Sequence, residues 1–75
     1  MADIRIPKLG VAMTEGTVVE WLVDDGATVA EGDLLYRLET DKVENDIESP
    51  SAGRVRVLVE PGTVHAVGTV VAVIE

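Results

Sequence analysis

The sequence predicts an all-β fold assembled from two related halves. Three observations carry this: an internal repeat, an apolar composition rich in β-branched residues, and turn signals at matching places in both halves. Gly26 to Gly32 is echoed by Gly62 to Gly68, each segment placing glycines six apart around a valine. The echo continues at an offset of 36, with Asp33 to Glu39 lying over Thr69 to Glu75. Upstream, Gly16 to Val23 matches Gly53 to Val59 once a one-residue gap is allowed. Self-similarity of this kind marks a duplicated supersecondary unit.

Each half reads strand, turn, short strand, turn, strand. Strands are expected near 3–7, 17–23, 34–40, 43–48, 54–59 and 70–74, with short strands at Val29 and Val64. The turns fall at Asp24-Asp25-Gly26 and Glu60-Pro61-Gly62, and glycine supplies the positive φ that such reversals need. Gly16, Gly26, Gly32, Gly53, Gly62 and Gly68 are accordingly read as structural. Apolar residues make up 47% of the chain, and Trp21 and Tyr36 are its aromatics. Valine and isoleucine favour pleated sheet. No window shows a 3.6-residue period, so essentially no helix is expected. Two halves that each expose an apolar face bury those faces together as a flattened sandwich or barrel.

Size and charge narrow the function. One domain spanning 1–75 is expected, with pseudo-repeats at about 16–39 and 53–75, and a chain of this length buries only about 60–65% of its unfolded surface. A deep catalytic cleft does not fit that size. The net charge of −8 opposes a phosphate backbone, and the six lysines and arginines are scattered, which argues against nucleic acid. No apolar run approaches the roughly 20 residues needed to span a bilayer. The start, Met1-Ala2-Asp3, lacks signal-peptide character. The expectation is a soluble protein of the cytoplasm, or of the mitochondrial matrix in a eukaryote, with no membrane partner. An acidic surface serves docking on basic partners or plain solubility, and charge does not separate the two.

Catalytic and metal constellations are missing from the sequence. His65 is the single histidine and is read as a surface residue; there is no cysteine to ligate zinc or act as a nucleophile. The acids at 39, 41, 44, 46 and 48 lack the glycine of a calcium loop. The glycines open no helix and cradle no phosphate. Trp21 is read as core in preference to a binding platform.

One connection stands out. Between the run ending at Thr40 and the run starting at Val43 lie two residues, Asp41-Lys42, the length of the tightest hairpin loop. A lysine at such a crest projects its stem away from the sheet. Glu39, Asp41, Glu44, Asp46 and Glu48 surround it with negative charge, which favours the ammonium form and so opposes a nucleophilic or Schiff-base role. Taken by itself, an exposed turn lysine among acids is usually only a solvated residue.

Glu39-Thr40-Asp41-Lys42-Val43 resembles the lipoylation motif of lipoyl domains, whose modified lysine follows an aspartate at a hairpin tip. Ile6-Pro7-Lys8-Leu9-Gly10, Met13-Thr14-Glu15-Gly16-Thr17-Val18 and Trp21 resemble the opening of the lipoyl domains in acyltransferase components of 2-oxo acid dehydrogenase complexes. Gly26, Val29, Gly32-Asp33, Leu35, Glu48-Ser49-Pro50 and Ala52-Gly53 continue it in order. The resemblance covers essentially the whole chain. Val43 departs from it, since many relatives carry alanine there, and Asn45-Asp46 is unusually polar.

The resemblance implies a flattened barrel of two four-stranded antiparallel sheets with quasi-twofold symmetry, in a carrier that is not itself an enzyme. It implies lipoate amide-linked to Lys42, with Glu39, Thr40, Asp41 and Val43 read by partners and the loop from Leu9 and Gly10 to Glu15 beside them. The implied partners are a lipoate ligase or lipoyl transferase, a thiamine diphosphate-dependent 2-oxo acid dehydrogenase, an acyltransferase core and a dihydrolipoamide dehydrogenase. Biotin carriers share the layout but set their lysine between methionines, unlike Asp41 and Val43 here. The lipoyl carrier of glycine cleavage is longer. An unmodified interaction module with an acidic docking hairpin is the remaining alternative. The chain stops inside the last expected strand, with no linker and no acyltransferase domain, so it reads as an excised domain or a free-standing carrier.

Overall fold

The computed structural model describes residues 1–40 and 43–75. Among these, eight strands follow one another: β1 (Ala2–Arg5), β2 (Glu15–Trp21), β3 (Thr28–Val29), β4 (Leu34–Thr40), β5 (Val43–Glu48), β6 (Gly53–Val57), β7 (Thr63–Ala66) and β8 (Val70–Ile74). No helix interrupts them, as the missing 3.6-residue period predicts, and none is long and apolar enough to cross a membrane. All strand pairs are antiparallel.

The strands form two sheets of four, ordered β1-β8-β6-β3 and β5-β4-β2-β7. Exchanging β1 to β4 with β5 to β8 turns one order into the other. This is the quasi-twofold symmetry that the sequence echo foretells, and it reaches further, because β1 and β5 also correspond although their sequences show no echo. Each sheet takes two strands from each half. Of the expected flattened sandwich or barrel, the structure shows the sandwich: the two sheets keep separate ladders and the molecule measures 32 × 21 × 17 Å.

Backbone hydrogen bonds repeat with the same offset. The Gly26 amide donates to the Val55 carbonyl at 2.7 Å, and the Gly62 amide donates to Val18 at 2.6 Å. Both glycines have positive φ, 90° and 82°, where a side chain would be strained. Leu22 N–H to Leu35 and Leu58 N–H to Val71 form a second matched pair, at 2.8 and 2.9 Å. These bonds also explain where β2 and β6 stop short of their expected ends at 23 and 59: after Trp21 and Val57 the chain turns toward Gly26 and Gly62.

The register revises one equivalence. Val29 pairs with Gly53 and His65 pairs with Gly16, so the counterpart of buried Val29 is His65, not Val64. His65 is therefore half-buried where a surface position was expected. Thr63 Oγ1 lies 2.6 Å from the Glu60 carbonyl and 2.8 Å from His65 Nε2. The hydroxyl proton goes to the carbonyl, so Nε2–H donates to the hydroxyl.

The core lies between the sheets. Ile4, Val55 and Ile74 from one sheet are buried together with Val18, Leu35 and Leu38 from the other. Trp21 packs partly buried against this core, as expected, and its indole N–H donates to the Val59 carbonyl at 3.0 Å. Its ring lies 5.1 Å from that of Tyr36, tilted by 50°. On the outer surface Arg37 bridges three strands, bonding Glu20 on β2 at 2.8 Å and Asp46 on β5 at 3.2 Å. Exposed pairs of this kind contribute little energy but favour one register.

Tyr36 is fully buried and its hydroxyl has no hydrogen-bond partner among the described residues. Desolvation pushes its pKa up to about 12 from the ordinary phenol value of 10.0. Between pH 10 and 12 the unfolded chain then holds fewer protons than the folded one, so the stability Tyr36 allows is complete below 10 and is lost as pH rises toward 12. Because Tyr36 is the sole tyrosine, tyrosinate absorbance should rise together with loss of β circular dichroism. Tyr36→Phe should remove that linkage and stabilise the fold by about 1 kcal/mol, since no bond is lost and an unpaired hydroxyl is removed. Tyrosinate appearing well below the unfolding transition would contradict this.

Candidate functional site

β4 and β5 form one continuous antiparallel ladder toward the connection that the sequence singles out. Arg37 faces Asp46, Leu38 faces Asn45, Glu39 faces Glu44 and Thr40 faces Val43. Asp41 and Lys42, which join Thr40 to Val43, lie outside the described residues, so the expected attachment lysine and its aspartate have no structural account here. The ladder beside them is well defined. Thr40 Oγ1 lies 3.5 Å from the Val43 carbonyl, at the long limit for a hydrogen bond.

A row of residues crosses the outer face of this sheet. Val64 on β7 faces Thr17 on β2, Thr17 faces Glu39 on β4, and Glu39 faces Glu44 on β5. Glu39 and Glu44 are both exposed. Like charges directly opposite across two strands destabilise a sheet. The only described cation nearby on this sheet, Arg37, is engaged two residues back by Glu20 and Asp46. Stability alone does not select such a pair.

Beside the row runs a shallow groove. The loop 9–14 forms one wall, and Glu15 to Thr17, Glu39, Thr40, Val43 to Asn45 and Val64 form the rest. The structure thus brings Leu9 and Gly10 to the same groove as Glu39, Thr40 and Val43, which the sequence separates by some thirty positions. Leu9, Val11, Val43 and Val64 are exposed apolar side chains, Val11 at 97%, and all line it. They stand among Glu15, Glu39 and Glu44. Val11 and Val64 were not singled out from sequence, since an isolated valine in a loop or short strand carries no signal until the fold gathers it with others.

Gly16 sits at the base of this arrangement. A Cβ there would lie 2.7 Å from Leu38 Cδ1 and 3.2 Å from Met13 Cε, so both side chains occupy the space a larger residue would need. Among the described residues no group of three or more potential ligands is placed to hold a metal.

The comparisons with known proteins fit this geometry. Residues 2–74 match the family described as biotin-requiring enzyme, the biotin/lipoyl family. Three relatives carry the same name, dihydrolipoyllysine-residue acetyltransferase component of pyruvate dehydrogenase complex. The Zymomonas mobilis protein is 42% identical over 73 residues, covering 95% of this chain and 17% of its own length. The Staphylococcus aureus (strain Mu50) protein is 40% identical over 74 residues, covering 97% and 17%. The Mycoplasma capricolum protein is 43% identical over 76 residues, covering 100% and 17%. The chain therefore spans about a sixth of the length of these relatives.

Two substitutions test the packing of the site. Gly16→Ala should cost about 1–3 kcal/mol in urea unfolding, because Leu38 is fully buried and has little room to yield. Gly10→Ala, with no atom within 4 Å of the added carbon, should cost almost nothing. Equal costs would show that the loop, and not the convergence on Gly16, limits substitution. Replacing Glu39 by Gln should raise stability by about 0.3 kcal/mol through relief of the pair with Glu44. By family match and by fold, the chain belongs to the biotin/lipoyl family.

Proposed function

We propose that this chain carries lipoate as an amide on Lys42 and presents it to the enzymes of a 2-oxo acid dehydrogenase complex. The observation that carries the reading is the β4–β5 ladder, closed by Thr40 and Val43 and flanked by the opposed carboxylates of Glu39 and Glu44. Its two-residue link holds the lysine of the Glu39-Thr40-Asp41-Lys42-Val43 motif. The described residues fit such a group, since the groove beside the link is open and lined by exposed apolar side chains. When bound, the dithiolane supplies the thiol chemistry that accepts and releases an acyl group.

The protein's part is attachment, presentation and recognition. Amide formation on Lys42 removes one cation and takes the formal net charge from −8 to −9. Glu39, Thr40, Asp41 and Val43 mark the lysine for a lipoate ligase or lipoyl transferase. Leu9, Gly10 and the rest of the 9–14 loop add a second surface, across the groove, for a thiamine diphosphate-dependent dehydrogenase. Tethering keeps the acyl group at high effective concentration near an acyltransferase core, and a dihydrolipoamide dehydrogenase reoxidises the dithiol. The relatives' names favour the pyruvate complex, working in the cytoplasm or, in a eukaryote, the mitochondrial matrix. Biotin is the second reading, supported by the shared family; the Asp41 and Val43 flanks favour lipoate.

Coexpression with a lipoate ligase followed by intact mass should show one lipoyl adduct, mapped to Lys42 by peptide fragmentation. Lys42→Gln should fold with unchanged thermal stability and carry no adduct or acyl group. Moving the lysine by one position should also abolish loading. A streptavidin-reactive product, or an unmodified wild-type chain, would sink the lipoyl reading.

A further inference from the structure

The loop 9–14 matters to the site only if it keeps a fixed pose relative to the end of the β4–β5 ladder, yet most of it is exposed and little holds it. Gly10, Val11 and Ala12 point no buried surface inward. Met13 is the exception: within this loop it alone packs against the core. Its backbone and side chain both turn back on the loop. The Met13 amide donates to the Gly10 carbonyl at 3.1 Å, closing a turn, and Met13 Sδ accepts the Leu9 amide at 3.3 Å. Thioether sulfur is a weak acceptor, so the contact orients more than it stabilises.

At its far end the same side chain lies over Gly16, the position that Leu38 of the ladder strand also covers. Met13 Cε and Leu38 Cδ1 converge on the space left by Gly16, which has no Cβ to exclude them. Leu38 is fully buried on β4 and immediately precedes Glu39. A line of contact therefore runs from Leu38, over Gly16, through the Met13 thioether to the Leu9 amide. The Val67 amide donates to the Thr14 carbonyl at 3.0 Å and holds that end of the loop, and the Met13 side chain indexes the rest of the loop wall to the acidic ladder.

We propose that Met13 is a positioning residue, which sets the pose of the Leu9 to Thr14 loop against Glu39 and Glu44 for the partner that closes over the groove. This rests on the carrier reading for its partner but not for its structural content. An enzyme that reads only the β4–β5 link to attach the prosthetic group need not touch the loop. A dehydrogenase that engages loop and ladder together depends on their spacing, and misplacement of part of a binding surface raises KM before it alters the chemical step.

The test uses Met13→Ala and Met13→Leu in the whole chain. Amide hydrogen exchange in Met13→Ala should lose protection at Leu9 and Met13 while the β2, β4 and β5 ladders stay protected. Loading by a lipoate ligase should stay within about twofold of wild type, whereas reductive acylation with pyruvate and a pyruvate dehydrogenase component should fall about tenfold in kcat/KM, through KM. Met13→Leu, which refills the space over Gly16, should recover most of that loss. Unchanged exchange at Leu9, unchanged kcat/KM, or equal losses in loading and acylation would each overturn the proposal. If the wild-type chain is not acylated at all, the carrier reading fails, and the exchange result alone decides whether Met13 fixes the loop.

Discussion

The hydrogen bonds from the Gly26 and Gly62 amides to Val55 and Val18 are the constraint on which the architecture turns. Each joins a turn in one half of the chain to a long strand in the other. Because β3 thereby pairs with β6, and β7 with β2, each half supplies two strands to each sheet and none can complete a sheet alone. In a chain with no cysteine this interlocking does what a covalent staple does elsewhere: it makes burial of the core an all-or-none event. The positive φ at both glycines is the local condition for it.

Against that rigid frame, the site is where the ordinary rules of sheet design are broken. Opposed carboxylates at Glu39 and Glu44 cost stability, and the sheet shows how it could have avoided them, since two residues back Arg37 neutralises Asp46 and Glu20. Exposed valines at 11, 43 and 64 collect in one groove when burying them elsewhere would stabilise the fold. Violations of local consistency that cluster in space are a signature of selection for recognition. Here they flank one two-residue connection.

How much of this was legible in the sequence follows from how each feature is encoded. Glycine spacing and the apolar runs on either side of Asp41-Lys42 are local, so the duplicated β fold and the β4 and β5 runs could be read directly. The match of β1 to β5 could not, because Ala2–Arg5 and Val43–Glu48 share position in the topology and no residue pattern. Aligning Val29 with Val64 failed by one residue for a related reason. Valine identity is a weaker guide than register, and the register pairs His65, not Val64, with a glycine. The groove was half visible: a loop near 9–15 was expected beside the link, whereas Val11 and Val64 became neighbours only through the β2–β7 pairing.

Charge distribution adds a last step. The strands of the sheet that bears the link hold six acids, Glu15, Glu20, Glu39, Glu44, Asp46 and Glu48, against Arg37. Those of the other sheet hold Asp3 against Arg5, Arg54 and Arg56. The strands of the two sheets are therefore oppositely charged, acidic in the sheet that holds β4 and β5 and slightly basic in the other, while the connecting segments carry the rest of the net −8. A charge difference of this kind gives the domain a dipole across its two sheets. Because the charges sit on paired strands, the field turns with the frame and stays aligned with the groove.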